Sequence, residues 1–274
     1  MKTIFFDCKN GISGDMVLKA LMDLSGQRDA IEEALKNEHL HTHDGHDHHG
    51  HSHDHHEHDH SHHHAHGRSW LKVRELIIHS SFSDEAKDTA ISIYQNIAEA
   101  EASVHGETLE TIHFHEVGRD EAIKNALGIG MALEAIKAGD QASDKGDSAD
   151  LEIVTSPVYD GHGTVVCSHG EIPVPVPAVM ALRTKCTYSF ETADVNMEMV
   201  TPSGLASLMG IKAKPAVKTI EELLVEKDES GEPRVKLIAE TEAKGSRDTG
   251  RDGLRVYLLD CREPVSGPTD RRNE

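Results

Sequence analysis

KTIFFDCKNGISGDMVLKALMDL, residues 2–24, is the stretch whose reading decides the fold. Lys2 to Asp7 is a short, mostly apolar run of strand character, and Gly14 to Leu24 carries helical spacing through Met16, Leu18, Leu21, Met22 and Leu24. A strand passing through a tight loop, Cys8 to Ser13, into a helix predicts a chain that mixes both element types, an α/β or α+β protein. The loop also carries chemistry. Gly11, Ser13 and Gly14 lie where the first backbone N–H groups of a helix are unpaired and can hold an anion. Asp7 and Asp15 would flank such a site and could hold a divalent ion, although neither the P-loop pattern nor G-x-G-x-x-G is present. The same residues suit a plain turn in which Asp15 complements the helix dipole.

Working outward, Asp29 to Leu35 is a second helical run, and regular structure resumes near Trp70. Ser83 reads as an N-cap, and Ala86, Ala90, Ile93, Tyr94 and Ile97 form the apolar stripe of a helix running to about Glu101 and closed by His105-Gly106. TIHFHEVG, residues 111–118, follows as a strand, and Glu121 to Lys137 as a helix in which Gly128 and Gly130 allow close packing. The polar stretch 139–150 marks a boundary between an N-terminal α/β domain, 1–138, and a second, 151–262, with a polar tail at 263–274. In the second lobe, Leu151 to Tyr159 and Gly163 to Cys167 predict strands joined as a hairpin at Asp160 to Gly163. Pro177 begins a helix through Leu182, Cys186 to Glu191 predicts a strand in which Cys186 is packing, and Thr201-Pro202 caps and starts another helix. Thr219 to Glu226 reads as either helix or strand. Arg234 to Glu240 and Leu254 to Asp260 alternate as strands around a basic, Gly-rich loop, Lys244 to Arg255.

Residues 39–66 stand apart. Sixteen of the 22 histidines fall there, with acidic residues between them and only Leu40 and Ala65 apolar. A segment with nothing to bury cannot offset the entropy of ordering, so a disordered insertion interrupting the first domain is expected. Its imidazoles, among them His46, His48, His49, His51, His53, His55, His56, His58 and His60, suit several weakly held ions in fast exchange. Composition leaves the choice among Ni, Zn, Cu and Co open. An affinity tag would sit at a terminus, and an inert spacer would be richer in Gly, Ser or Pro.

The formal net charge is −20, so phosphate backbones and anionic membranes would be repelled, and no nucleic acid is expected as a partner. No apolar run approaches the length of a membrane span and no signal peptide begins the chain, which predicts a cytoplasmic protein. Cys8, Cys167, Cys186 and Cys261 are far apart, against a disulfide framework or zinc ribbon.

Three constellations carry candidate chemistry. In a strand, residues two apart share a face, so His113 and His115 project together while Phe114 turns into the core; the pair, with Glu116 beyond it, can supply metal ligands or form an ordinary hydrogen-bonded couple. Cys167 and His169 combine thiolate and imidazole, a pair suited to a soft or borderline ion. The helix start at Thr201 and Ser203, and Arg247, Arg251 and Arg255 in the basic loop, suit a phosphate or carboxylate; a simple cap and a solvated surface are the plainer uses.

Taken together, these motifs resemble one family, the nickel-insertion (LarC) proteins that mature the nickel-pincer cofactor of lactate racemase. DCKNGISGDM at 7–16, the histidine-rich insertion, IHFHEVG at 112–118, GHGTVVCSHGEIPVPVPA at 161–178, MVTPSG at 199–204 and the loop 244–255 carry the likeness in order across almost the whole chain. The resemblance implies a nickel-inserting, CTP-dependent lyase acting on pyridinium-3,5-bisthiocarboxylic acid mononucleotide, forming two Ni–S bonds and one Ni–C bond, with Mg²⁺ or Mn²⁺ accompanying CTP and lactate racemase receiving the product. Catalytic and metal roles are then expected at His113, His115 and Glu116, with Cys167 or His169 completing the ion's shell. Asp7, Ser13, Asp15, Thr201, Ser203, Arg247 and Arg251 are expected to hold the nucleotide. The chain departs from the family pattern where many members have two aspartates after HFHEVG: it has Glu121 and Asn125. Members usually continue into a C-terminal domain associated with nucleotide binding, and this sequence stops before it; that domain is expected as a partner, as is a homo-oligomeric assembly. A nickel store or metallochaperone without catalysis is the alternative. A His/Asp metallohydrolase is disfavoured, since no H-x-H…D…H series of adequate spacing lies outside the insertion.

Overall fold

The computed structural model describes residues 1–40, 67–141, 151–167, 170–246 and 250–267. β1 (Lys2–Asp7) passes through a single 3-10 turn into α1 (Gly14–Ser25), as the opening stretch predicts. There follow α2 (Arg28–Asn37), β2 (Arg68–Ser69), α3 (Trp70–His79), α4 (Asp84–His105), β3 (His113–Phe114) and α5 (Asp120–Gln141). After them come β4 (Glu152–Thr155), β5 (Val158–Asp160), β6 (Thr164–Cys167), β7 (Gly170–Pro173), α6 (Pro177–Arg183), β8 (Phe190–Thr192) and α7 (Pro202–Gly210). β9 (Lys214–Pro215), α8 (Ile220–Val225), β10 (Val235–Ala243) and β11 (Leu254–Cys261) complete the described order. This is an α/β protein with mixed sheets.

The principal sheet runs β10-β11-β1-β4-β9. β11 is antiparallel to β1 and β10, whereas β4 is parallel to β1 and β9. Period-two alternation separates its faces. Ile4, Phe6, Val256 and Leu258 enter the larger core, where α1, α4, α5 and α7 pack through Leu21, Ile93, Ile97, Leu127 and Leu205. Phe5, Tyr257 and Leu259 point the other way, onto Ile220 and Leu223 of α8. Segments before and after residues 139–150 therefore meet in one sheet and one core.

Caps follow the sequence signals. Ser83 accepts from the Ala86 amide (3.1 Å) and Thr201 from the Gly204 amide (3.1 Å). A capping box between Thr219 and Glu222 decides the ambiguous stretch as helix α8. Two strand pairings differ from expectation. β5 and β6 are not a hairpin: β5 pairs in parallel with β8, and β6 pairs antiparallel with β7. Alternation identifies a strand but not its partner, and Asp160 to Gly163 serves as a corner instead. The strand at Cys186 to Glu191 reduces to β8, with Cys186 ahead of it and half-buried. The histidines at 41–66, the linker residues 142–150, His169, Arg247 and the tail beyond 267 lie outside the described residues.

Candidate functional site

Two loops far apart in sequence are locked back to back. The Ile12 amide donates to the Met199 carbonyl (2.9 Å) and the Thr201 amide to the Ile12 carbonyl (3.0 Å), an isolated parallel bridge between Ile12 and Val200. The approach is closed to any side chain. A Cβ on Gly11, whose φ is +82°, would stand 2.1 Å from the Met199 oxygen, and one on Gly204 would stand 2.4 Å from the Ile12 oxygen. DCKNGISGDM and MVTPSG thus form one unit that sets the starts of α1 and α7 side by side. Asp160 fixes it from behind: its Oδ1 accepts from the amides of Gly161 (2.9 Å), Met199 (3.1 Å) and Val200 (3.1 Å), and its Oδ2 from Arg183 (3.2 Å). Burial pushes the Asp160 carboxyl upward, against the opposing pull of those amides and the guanidinium.

In front of the paired helix starts lies a cavity of about 520 Å³. Ser13, Asp15, Thr201, Ser203, Lys244, Ser246 and Arg251 give it polar groups, and Met16, Met197 and Met199 an apolar wall. Lys19 joins the basic loop to α1, donating to Asp15 (3.2 Å) and to the Lys244 carbonyl (3.0 Å). Burial opposes the charge on Asp15, but the Ser13 hydroxyl, the Lys19 ammonium and the Ser246 amide outweigh it and hold its carboxyl below the usual range. Arg251 reaches the Asn10 amide oxygen at 3.5 Å. Asp7 does not line this cavity. It sits on the Phe5 face of β1, with Lys9 Nζ 3.8 Å from its Oδ2, and burial pushes its carboxyl up. The alternation that sends Phe5 away from α1 sends Asp7 with it, so Asp7 and Asp15 do not converge.

A second cavity, about 410 Å³, adjoins the first. His113, His115, Glu116 and Cys167 all line it, four residues singled out from two separate sequence motifs. Phe114 anchors the histidine pair. It is buried against Tyr94 (centroids 5.9 Å apart) and Trp70 (6.4 Å), and the Tyr94 hydroxyl donates to the Val117 carbonyl (2.7 Å). β3 is only two residues long, paired with β2 so that Ser69 faces His113. His113 and His115 remain exposed on the opposite side from Phe114, as period two requires. His113 Nδ1 lies 2.7 Å from the Thr111 carbonyl. A carbonyl only accepts, so Nδ1 carries the hydrogen and the lone pair of the neutral ring is on Nε2, the nitrogen able to meet an ion. Among the described residues, no three His, Cys, Asp or Glu side chains come together closely enough to hold an ion.

Glu198, Thr201 and Ser203 line both cavities and form the wall between them. Thr201 and Ser203 were visible in the sequence as a helix start. Glu198 was not: it directly precedes MVTPSG, but a lone carboxylate outside helix and strand carries no spacing signal of its own. The end of α4 also contributes Glu101 and His105, whose carboxylate and Nε2 are 3.4 Å apart. Their i, i+4 spacing at a helix end was the available signal.

The sequence matches the family model described as nickel insertion protein over residues 4–227. It is 32% identical over 276 residues to the pyridinium-3,5-bisthiocarboxylic acid mononucleotide nickel insertion protein of Acetivibrio thermocellus, covering 96% of this chain and 61% of that protein. The proteins of the same name from Akkermansia muciniphila (36% over 225 residues, 77% of this chain and 52% of that one) and Clostridium kluyveri (34% over 224 residues, 76% and 53%) are similar. The chain therefore spans about half to three-fifths of the length of these curated relatives. No solved structure matches it.

Proposed function

This chain belongs to the nickel insertion protein family, and we propose that it binds Ni(II) and inserts it into pyridinium-3,5-bisthiocarboxylic acid mononucleotide, the compound in its relatives' names. The observation that carries this reading is the common wall between the two cavities. One is lined by Ser13, Lys244 and Arg251, groups able to take a phosphate at the start of α1; the other by His113, His115, Glu116 and Cys167, groups able to take a borderline metal. An ion held by imidazole and carboxylate in the second cavity would pass to two thiocarboxylate sulfurs presented from the first. The softer donors make the transfer downhill. The imidazole tract at 39–66 collects the ion in this reading; His169 and Arg247, expected from sequence to serve the metal and the phosphate, lie outside the described residues.

CTP with Mg²⁺ or Mn²⁺ drives the reaction in this reading. In this reading it is bound largely by a further C-terminal segment acting with this chain, and the product serves lactate racemase. The work is cytoplasmic and the assembly homo-oligomeric; no helix among the described residues is long and apolar enough to cross a membrane. The test is to incubate the chain with nickel, CTP and the pyridinium precursor, with and without that C-terminal segment, and follow absorbance of the metallated product. Product formation is expected. Nickel uptake without product in both cases would make the chain a store. Undiminished transfer by a His113→Ala/His115→Ala variant lacking the tract would eliminate the relay.

A further inference from the structure

We infer that Glu198 is the base that removes the ring proton when nickel enters the precursor. This rests on the insertion reading above. Sulfurs carried at ring positions 3 and 5 hold a metal against C4, the carbon between them. Forming the nickel–carbon bond breaks the C4–H bond: its electron pair becomes the Ni–C bond, nickel stays divalent, and the proton must leave to a base. Charge and atoms balance with one carboxylate becoming one carboxylic acid, and no oxidant or reductant is needed.

That base has to stand where the ring and the metal meet. Three residues with reactive side chains line both cavities, Glu198, Thr201 and Ser203, and Glu198 alone among them is a carboxylate. Asp15 and Asp252 reach only the nucleotide cavity, while Glu101 and Glu116 reach only the metal cavity. Thr201 is occupied as the cap of α7, its hydroxyl 3.1 Å from that of Ser203. A neutral hydroxyl is moreover a far weaker base than a carboxylate, because its protonated form gives up the proton much more readily than a carboxylic acid does.

The backbone around Glu198 is held on both sides. The Met197 amide donates to Val195 (3.0 Å), and the Met199 amide to the buried Asp160 (3.1 Å), while the Met199 carbonyl is fixed by Ile12 (2.9 Å). Met197 and Met199 line the nucleotide cavity alone, offering polarizable sulfur and methyl surface to a flat cationic ring. A ring against that wall, with its phosphate toward Arg251 and Lys244, would carry its reacting edge past Glu198 into the histidine cavity.

The experiment uses the full chain, its Glu198→Gln and Glu198→Asp variants, Ni(II), CTP and the precursor, with the C-terminal segment of a longer relative added. Equilibrium dialysis reads bound nickel and bound precursor; absorbance and loss of the C4 proton signal in the NMR spectrum read metallation. Glu198→Gln should keep both ligands within about twofold and metallate at least ~100-fold more slowly, the range of a general base. Glu198→Asp should retain part of the rate, and a precursor deuterated at C4 should react more slowly with the unaltered chain. Metallation by Glu198→Gln at the unaltered rate overturns the proposal. So does a loss of bound nickel proportional to the loss of rate, which would make Glu198 a ligand. An unaltered chain that binds both ligands without losing the C4 proton overturns the proposal and leaves the binding reading standing, whereas one that binds neither overturns the insertion reading itself.

Discussion

Gly204 and Asp15 show how much a single position in this site is asked to do. A methyl group at Gly204 would stand 2.4 Å from the Ile12 carbonyl oxygen, so Gly204→Ala must push the starts of α1 and α7 apart. Overpacking of this kind costs about 1–3 kcal/mol. The urea midpoint should fall accordingly, and an unchanged midpoint would show that the two loops separate freely. Asp15 makes a pH prediction. Its folded carboxyl lies below the ordinary value, so the stability it contributes is whole above about pH 4 and is lost as pH falls through the lower folded value. Asp15→Asn should therefore be less stable than the unaltered chain at neutral pH, and the gap in denaturation midpoint should close on acidification below about pH 4. A gap that persists in strong acid would mean the carboxylate's charge is not what stabilises the loop. Both residues were legible as belonging to a helix start. That the start is shared with α7 was not, because a glycine required by a close approach reads in sequence like a glycine required by a turn.

At the scale of elements, the histidine pair was read correctly from alternation alone: Phe114 is buried, and His113 and His115 share the exposed side. The element is shorter than its pattern, because β3 finds a partner only in the two residues of β2. The expected β5–β6 hairpin failed for a related reason. Each strand has the right period, but its partner is fixed by contacts the local sequence does not encode, with β8 from beyond α6 and with β7. The basic loop between β10 and β11 reads in sequence as suited to an anion, and Arg251 lines the cavity in front of the starts of α1 and α7. Arg251→Gln should weaken precursor binding about tenfold or more, the worth of one hydrogen bond to a charged group. A fluorescence or calorimetric titration checks it, and unchanged affinity would place the phosphate elsewhere.

For the molecule as a whole, −20 formal charges and sixteen clustered histidines are the features from which its behaviour toward metal is predicted. Imidazoles titrate near ~6.5 and bind ions only when neutral, so nickel retained per chain should drop steeply between about pH 7.5 and pH 5.5. A variant lacking 41–66 should hold fewer ions and show a shallower pH dependence in equilibrium dialysis; identical curves would show that the tract binds nothing. By itself the sequence determined most element types, though not that of Thr219 to Glu226, together with the caps at Ser83 and Thr201, the facing of the histidine pair and the residue kinds suited to metal and to phosphate, since propensity, period and ligand chemistry are local properties. Only the tertiary structure decided that β1 lies between β4 and β11, that Asp7 turns away from Asp15, and that Glu198 stands in the wall between two cavities. Those outcomes follow from which distant segments bury one another, and burial is settled by the whole chain at once.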